Sequence, residues 1–216
     1  MVNYPNESKA YRSARQALLE AEIALRAQIE AVAEQRRALP AGGTVPEDYA
    51  FADPSGRSVR LSTLFGDFDH LLVYSYMYGP DWAAPCPSCT SMLDGLNGQV
   101  THITAAAALA VVASARPEQL ARTRDMRGWT RLPLYSAGGS SYQTDYHGRR
   151  GGKELPMLNV FERTGGEIRH FWGSEMMFAP APQEPRHVDA LWPLWNALDL
   201  TRAGRGGLDP ADTFAR

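Results

Sequence analysis

The sequence predicts an α/β fold built on a largely parallel but mixed central sheet. Three observations carry this. Segments rich in β-forming residues alternate with helical segments, which implies a parallel sheet covered on both faces. Two of those segments, Leu71–Tyr76 and Ala107–Ala113, are near-continuous apolar runs, as expected of strands buried on both sides. Met157–Phe161 and Glu167–Trp172 flank the turn Thr164-Gly165-Gly166, so a hairpin adds antiparallel strands at one edge.

The chain has 216 residues, enough for one domain with additions. Glu7 to Leu39 reads as one long helix: it lacks Gly and Pro, is rich in Ala, Glu, Gln, Leu and Arg, and ends at Pro40 and Gly42-Gly43. Leu18, Ala21, Leu25, Ile29 and Val32 form a narrow apolar stripe at helical spacing. The stripe packs either on its own domain or on a second subunit, and a homodimer through this helix is the second expectation. Tyr49–Phe51 and Ser58–Leu61 flank the turn Asp53-Pro54-Ser55-Gly56 as a short hairpin. The first buried strand follows, then a loop and a helix from the cysteines to about His102. After the second buried strand, Pro117 opens a helix that ends near Gly128. Leu132–Ser136 is a short strand, Gly138–Gly152 a long loop, and His187–Leu198 an amphipathic terminal helix. The expected organisation is a helical extension over 1–43, an α/β domain over 44–200 and a loose, Gly- and Asp-rich tail over 201–216.

Net charge is −2, which gives no general pull toward nucleic acid or anionic lipid. No apolar run reaches the roughly 18 residues of a membrane span. The polar N-terminus has no apolar signal region, so a cytoplasmic location is expected. Thiols are kept reduced there. The two cysteines, Cys86 and Cys89, would close only a tiny loop, so a structural disulfide explains them poorly.

Cys86-Pro87-Ser88-Cys89 stands where a buried strand gives way to a helix. The thiolate is the form that attacks a disulfide. A helix N-terminus offers unpaired N–H groups and about half a unit of positive charge, either of which favours that thiolate. Pro87 suits the first helical position, where its missing N–H costs nothing. Cys86 is therefore the candidate attacking thiol. Cys89, one turn on and shielded by the helix, is the resolving one.

Trp82-Ala83-Ala84-Pro85-Cys86-Pro87-Ser88-Cys89 resembles the thioredoxin signature. The segment Leu155-Pro156-Met157-Leu158-Asn159-Val160-Phe161, with the turn after it, resembles the thioredoxin cis-proline and hairpin. The resemblance implies a thioredoxin-like three-layer fold with an added N-terminal helix. Pro156 would then lie against the cysteines, and Trp82, Pro87 and Leu155 would line a substrate groove, with the backbone of Leu155 receiving an extended peptide. The whole chain also resembles a family of uncharacterised bacterial proteins, DUF899. That likeness rests on Arg36-Arg37-Ala38-Leu39-Pro40, Tyr76-Met77-Tyr78-Gly79-Pro80, Asp94-Gly95, Gly128-Trp129 and Asp199-Leu200-Thr201.

Some positions depart from these patterns. Pro80 stands where thioredoxins keep a buried acid, with Asp81 beside it. The Cys-Pro-x-Cys order is similar to glutaredoxins, but their glutathione-binding segment after the hairpin is missing. Ala83 stands where peroxiredoxins place a Thr or Ser, which counts against a peroxidase. The expected function is thiol–disulfide exchange with a disulfide-bearing protein or a small thiol, without a cofactor. The alternatives are a copper or zinc carrier, for which His102, His147 and His170 would complete the ligands, and a non-catalytic scaffold. Tyr74, Tyr76 and Tyr78 read as packing residues, and the Tyr142–Tyr146 loop as a possible cover for the cysteines.

Overall fold

The structure is a computed structural model and describes residues 2–180 and 186–214. The chain forms two units divided between Pro40 and Ala41. The first holds α1 (Lys9–Arg37). Ser8 caps it by accepting the Tyr11 N–H at 3.1 Å, and Arg36 and Arg37 lie in the last turn, where cations complement the helix dipole.

The second unit begins with β1 (Ala50–Ala52), β2 (Ser58–Arg60) and α2 (Leu61–Leu64). Next come β3 (His70–Ser75), α3 (Pro87–Ile103), β4 (Ala108–Ala113), α4 (Pro117–Arg127) and β5 (Leu134–Ser136). The segment that reads as a long loop contains α5 (Tyr142–Asp145) and a small pair, β6 (Arg149–Arg150) and β7 (Lys153–Glu154). A hairpin of β8 (Leu158–Thr164) and β9 (Glu167–Gly173) follows, and α6 (Pro193–Asp199) comes near the end.

The main sheet runs β2-β1-β5-β4-β3-β8-β9. The pairs β3–β4 and β4–β5 are parallel, and the others are antiparallel. This is the thioredoxin-like mixed sheet that the sequence implied. Every residue of β4 is buried, as its unbroken apolar run requires. Alternation along β3 sends its side chains to opposite faces. Tyr74 joins Met92, Leu93, Leu96 and Trp129 on the face covered by α3. Leu71 and Val73 join Phe51, Leu61, Phe65, Tyr142 and Phe161 on the other.

The crossover helices are fixed at their ends. Gly128 ends α4 at a φ of 65°, a left-handed turn that suits glycine, and the Trp129 N–H returns to the Arg124 carbonyl at 2.9 Å. The Trp129 indole then donates to Asp94 of α3 at 2.9 Å, and Arg127 pairs with the same carboxylate. Two of the segments that suggested the family, Asp94-Gly95 and Gly128-Trp129, thus meet in one contact.

Three expectations change. The terminal helix is not continuous over 187–198. Residues Arg186–Leu191 form a 3₁₀ turn, Trp192 leaves the helical conformation at φ −119° and ψ 85°, and α6 starts at Pro193. A proline cannot donate into the preceding turn, and it pushes the residue before it out of the helical region. The tail is not loose over its described part. Arg205 binds Asp199 at 2.8 Å and Asp189 at 3.3 Å, and Pro210 is buried at the start of a further 3₁₀ turn. Tyr142 and Tyr146 do not cover the cysteines: they pack with Phe161 on the far side of the sheet.

Candidate active site

Cys86 is the N-cap of α3, and Pro87 is its first residue. The Cys86 N–H is held by the Met77 carbonyl at 3.0 Å. Its carbonyl accepts from both the amide and the hydroxyl of Thr90, at 3.0 and 2.9 Å. The Thr90 hydroxyl spends its one proton there, so the Tyr76 hydroxyl 2.6 Å away is the donor in that pair. The start of the helix is thereby tied to the loop after β3 and to the sheet.

The two sulfurs differ in setting. Both are free thiols; Cys86 is half-buried and Cys89 is 4% exposed. The Cys89 thiol beside it and the backbone amides of Cys89 and Ser88 bring the Cys86 pKa down to about 6, against burial and the charge of Asp209. Cys89 is pushed well up, first by its hydrogen bond to Cys86 and then by burial. Only one of the pair is thus ionised near neutral pH. The Tyr74 hydroxyl opposes the rise at Cys89 by hydrogen bonding to its sulfur. Burial holds Tyr74 itself protonated, as a donor. Asp81, the acid next to the expected position, points outward with its side chain 90% exposed and lies 3.3 Å from Arg116.

Both sulfurs border a cavity of about 470 Å³, together with Ser88, Leu155 and Pro156. Tyr74 and Met77 line it from β3 and the loop after it, and the C-terminal segment adds Val188, Trp192, Trp195 and Leu208. Pro156 is therefore brought to the cysteines, as the resemblance implied. Leu155 reaches the same cavity, but its backbone is spent internally. Its N–H goes to the Gly148 carbonyl at 2.8 Å, and its carbonyl accepts from Met157 at 3.1 Å. It is not left open to pair with an extended peptide.

Trp82 and Pro87 are not among the residues that line this cavity. Pro87 sits at the first turn of α3, while the Trp82 ring lies over Gly79, 2.8 Å from where a side-chain carbon would stand. The tryptophans at the site are Trp192 and Trp195, which the sequence placed only in an amphipathic helix. Pro193 was the available signal, because a proline there breaks the helix between Trp192 and the turn that carries Trp195.

Among the described residues no three His, Cys, Asp or Glu side chains lie close enough to share a metal ion. His170 lies 2.9 Å from the Asn159 carbonyl oxygen and stacks on Tyr146, and His147 meets Phe178 edge-on. His102 is in the last turn of α3, at the end remote from Cys86. His187 does border the cavity; burial lowers its pKa to about 4, and Ser174 sits 3.0 Å from its Nδ1. No described helix is long and apolar enough to cross a membrane.

Solved structures share the fold. A cysteine-to-serine mutant of peroxiredoxin Q from Xanthomonas campestris is 15% identical, with 72% of this chain and 96% of that one covered at a TM-score of 0.50. The bacterioferritin comigratory protein of the same organism, studied as a trapped intermediate and ligand complex, is also 15% identical, with 73% and 98% covered at 0.50. No curated protein matches the sequence. Over residues 1–215, however, the chain fits the model of a family described as "Bacterial protein of unknown function (DUF899)", and it belongs to that family.

Proposed function

We propose that the protein is a thiol–disulfide oxidoreductase in which Cys86 attacks and Cys89 resolves. One observation carries this reading. A half-buried cysteine with its pKa lowered to about 6 and a second, more deeply buried one with a raised pKa border the same cavity. At pH 7 about nine-tenths of Cys86 is then thiolate. It attacks a substrate disulfide and forms a mixed disulfide, and the first substrate sulfur leaves as a thiol. Cys89 then loses its proton, attacks the Cys86 sulfur and releases the second thiol. The Tyr74 hydroxyl favours that ionisation by donating to the Cys89 sulfur.

The solved neighbours named for peroxide reduction raise a peroxidase as the competing thiol chemistry. Ala83 offers no hydroxyl for that role. The deciding measurement uses fully reduced protein, freed of reductant and mixed with a small disulfide or with hydrogen peroxide. Release of two thiols per protein, with formation of the Cys86–Cys89 disulfide, is the expected result. A protein inert to the disulfide but rapidly oxidised by peroxide overturns the reading.

A further inference from the structure

The cavity over the cysteines has a more specific character than thiol exchange requires. At about 470 Å³ it falls within the roughly 300–1,000 Å³ that holds a small organic ligand. The C-terminal part of its lining is mainly apolar and aromatic, with Val188, Leu208 and the rings of Trp192 and Trp195, 5.2 Å apart, beside the polar His187 and Asp189. Among the described lining residues the guanidinium is that of Arg205, which is already held by Asp189 and Asp199 and stacks on Trp195 at 5.3 Å. It does not call for an anion. Asp209 adds negative charge near Cys86 and disfavours one.

Trp192 is 8% exposed and lends ring surface to this lining. The backbone of Leu155, which would bind an extended peptide, is already committed to Gly148 and Met157.

We infer that this cavity admits small, uncharged, largely aromatic disulfides, and that the C-terminal wall from Val188 to Leu208 selects them over hydrophilic or peptide disulfides. The inference rests on the dithiol reading above. In the reaction the Cys86 thiolate bonds to one aryl sulfur as the substrate S–S bond breaks, and the other aryl thiolate leaves and takes a proton from water. Cys89 gives its proton to water and bonds to Cys86, and the second aryl thiolate leaves and is protonated. Two electrons pass from the protein dithiol to the disulfide. A dithiol reductant returns the protein to its starting state.

The test compares dithiodipyridine, which is aromatic and neutral, with bis(hydroxyethyl) disulfide. Second-order rate constants are measured for the reduced full-length protein and divided by those of free dithiothreitol, which removes intrinsic reactivity. The normalised preference for dithiodipyridine is expected to be about tenfold or more, equivalent to one decade of differential binding. Trp195→Ala and Leu208→Ala should each erode it severalfold. Leu208 is 36% exposed, so its variant reads the cavity without depending on the core. Binding of dipyridyl sulfide, a thioether that cannot react, is followed by calorimetry and should weaken in Trp195→Ala. A normalised preference of one, with no dipyridyl sulfide binding, overturns the inference. Binding of dipyridyl sulfide with no reduction of either disulfide supports the cavity's selectivity and overturns the dithiol chemistry instead.

Discussion

On the face of the sheet that carries Phe161, rings meet rings. Tyr142 touches Tyr49, Phe51 and Tyr146 at centroid distances of 5.5, 5.3 and 5.1 Å, and Tyr146 meets Phe161 at 4.8 Å. On the opposite face, Trp192 and Trp195 touch each other but leave part of their surface on a cavity beside two sulfurs. The same residue chemistry therefore has two meanings. Where rings fill each other's edges, the gain is stability. Where they border empty space, the packing is incomplete, and the stability forgone leaves room for a ligand.

Substitutions break or sharpen this contrast. The largest effect belongs to the open face: Cys86→Ser should abolish disulfide reduction while the urea midpoint changes little, because a half-buried thiol and a hydroxyl differ by little in volume. Loss of folding in this variant would contradict the separation of the faces. On the closed face the pattern should reverse. Phe161→Ala should cost about 3–5 kcal/mol in a urea titration, the cost of deleting a fully buried ring. It should leave the pH profile of Cys86 alkylation in place, provided the protein is still folded at the assay temperature.

Tyr74 belongs to β3 and faces the open side, and it tests how the sheet reaches the chemistry. Its hydroxyl favours the Cys89 thiolate, so Tyr74→Phe should raise the Cys89 pKa further and slow resolution. A loss of about tenfold, or roughly 1.4 kcal/mol, is expected for one hydrogen bond to a charged sulfur. It should be visible by mass spectrometry as accumulated mixed disulfide, with the first attack by Cys86 unaffected. Equal slowing of both steps would make Tyr74 a packing residue only. The smallest effect on the closed face is expected from Tyr142→Phe, which keeps the ring and removes a buried hydroxyl beside the Asn159 amide, so the same titration should shift by no more than about 1 kcal/mol.

The contrast also marks what could be read from the sequence. The apolar run before the cysteines and Pro87 at the helix start each obey a local rule, so Cys86 and Cys89 could be placed at a strand-to-helix turn before any coordinates. Pro156 was set beside them only by the resemblance to thioredoxins. The C-terminal wall obeys no local rule. Thr201 to Leu208 is polar and Gly-rich, and composition alone makes it loose; it is ordered by Arg205 reaching back to Asp189 and Asp199, a contact between segments 16 and 6 residues apart. Trp82 beside the motif and Trp192 far from it are equally apolar. Only the break at Pro193 and the fold of the tail decide that Trp192 and not Trp82 meets the sulfurs.

The subtlest test also lies in that tail. Asp209 stands near enough to Cys86 for its charge to raise the thiol pKa, against the larger lowering by Cys89 and the helix-start amides. Asp209→Asn should therefore move the midpoint of Cys86 alkylation below that of the unaltered protein, by a fraction of a unit, and less so at high salt. The linkage has a definite sign. A thiol whose pKa is lower folded than unfolded adds stability that is present at alkaline pH and disappears as pH falls through about 6. Cys89, with its pKa raised, acts in the opposite sense, so a melting curve mixes the two and alkylation of Cys86 is the cleaner readout. An unmoved midpoint would mean that the tail shapes the cavity without touching the electrostatics of the sulfur. A downward shift that vanishes with salt would make the last segment of the chain part of both.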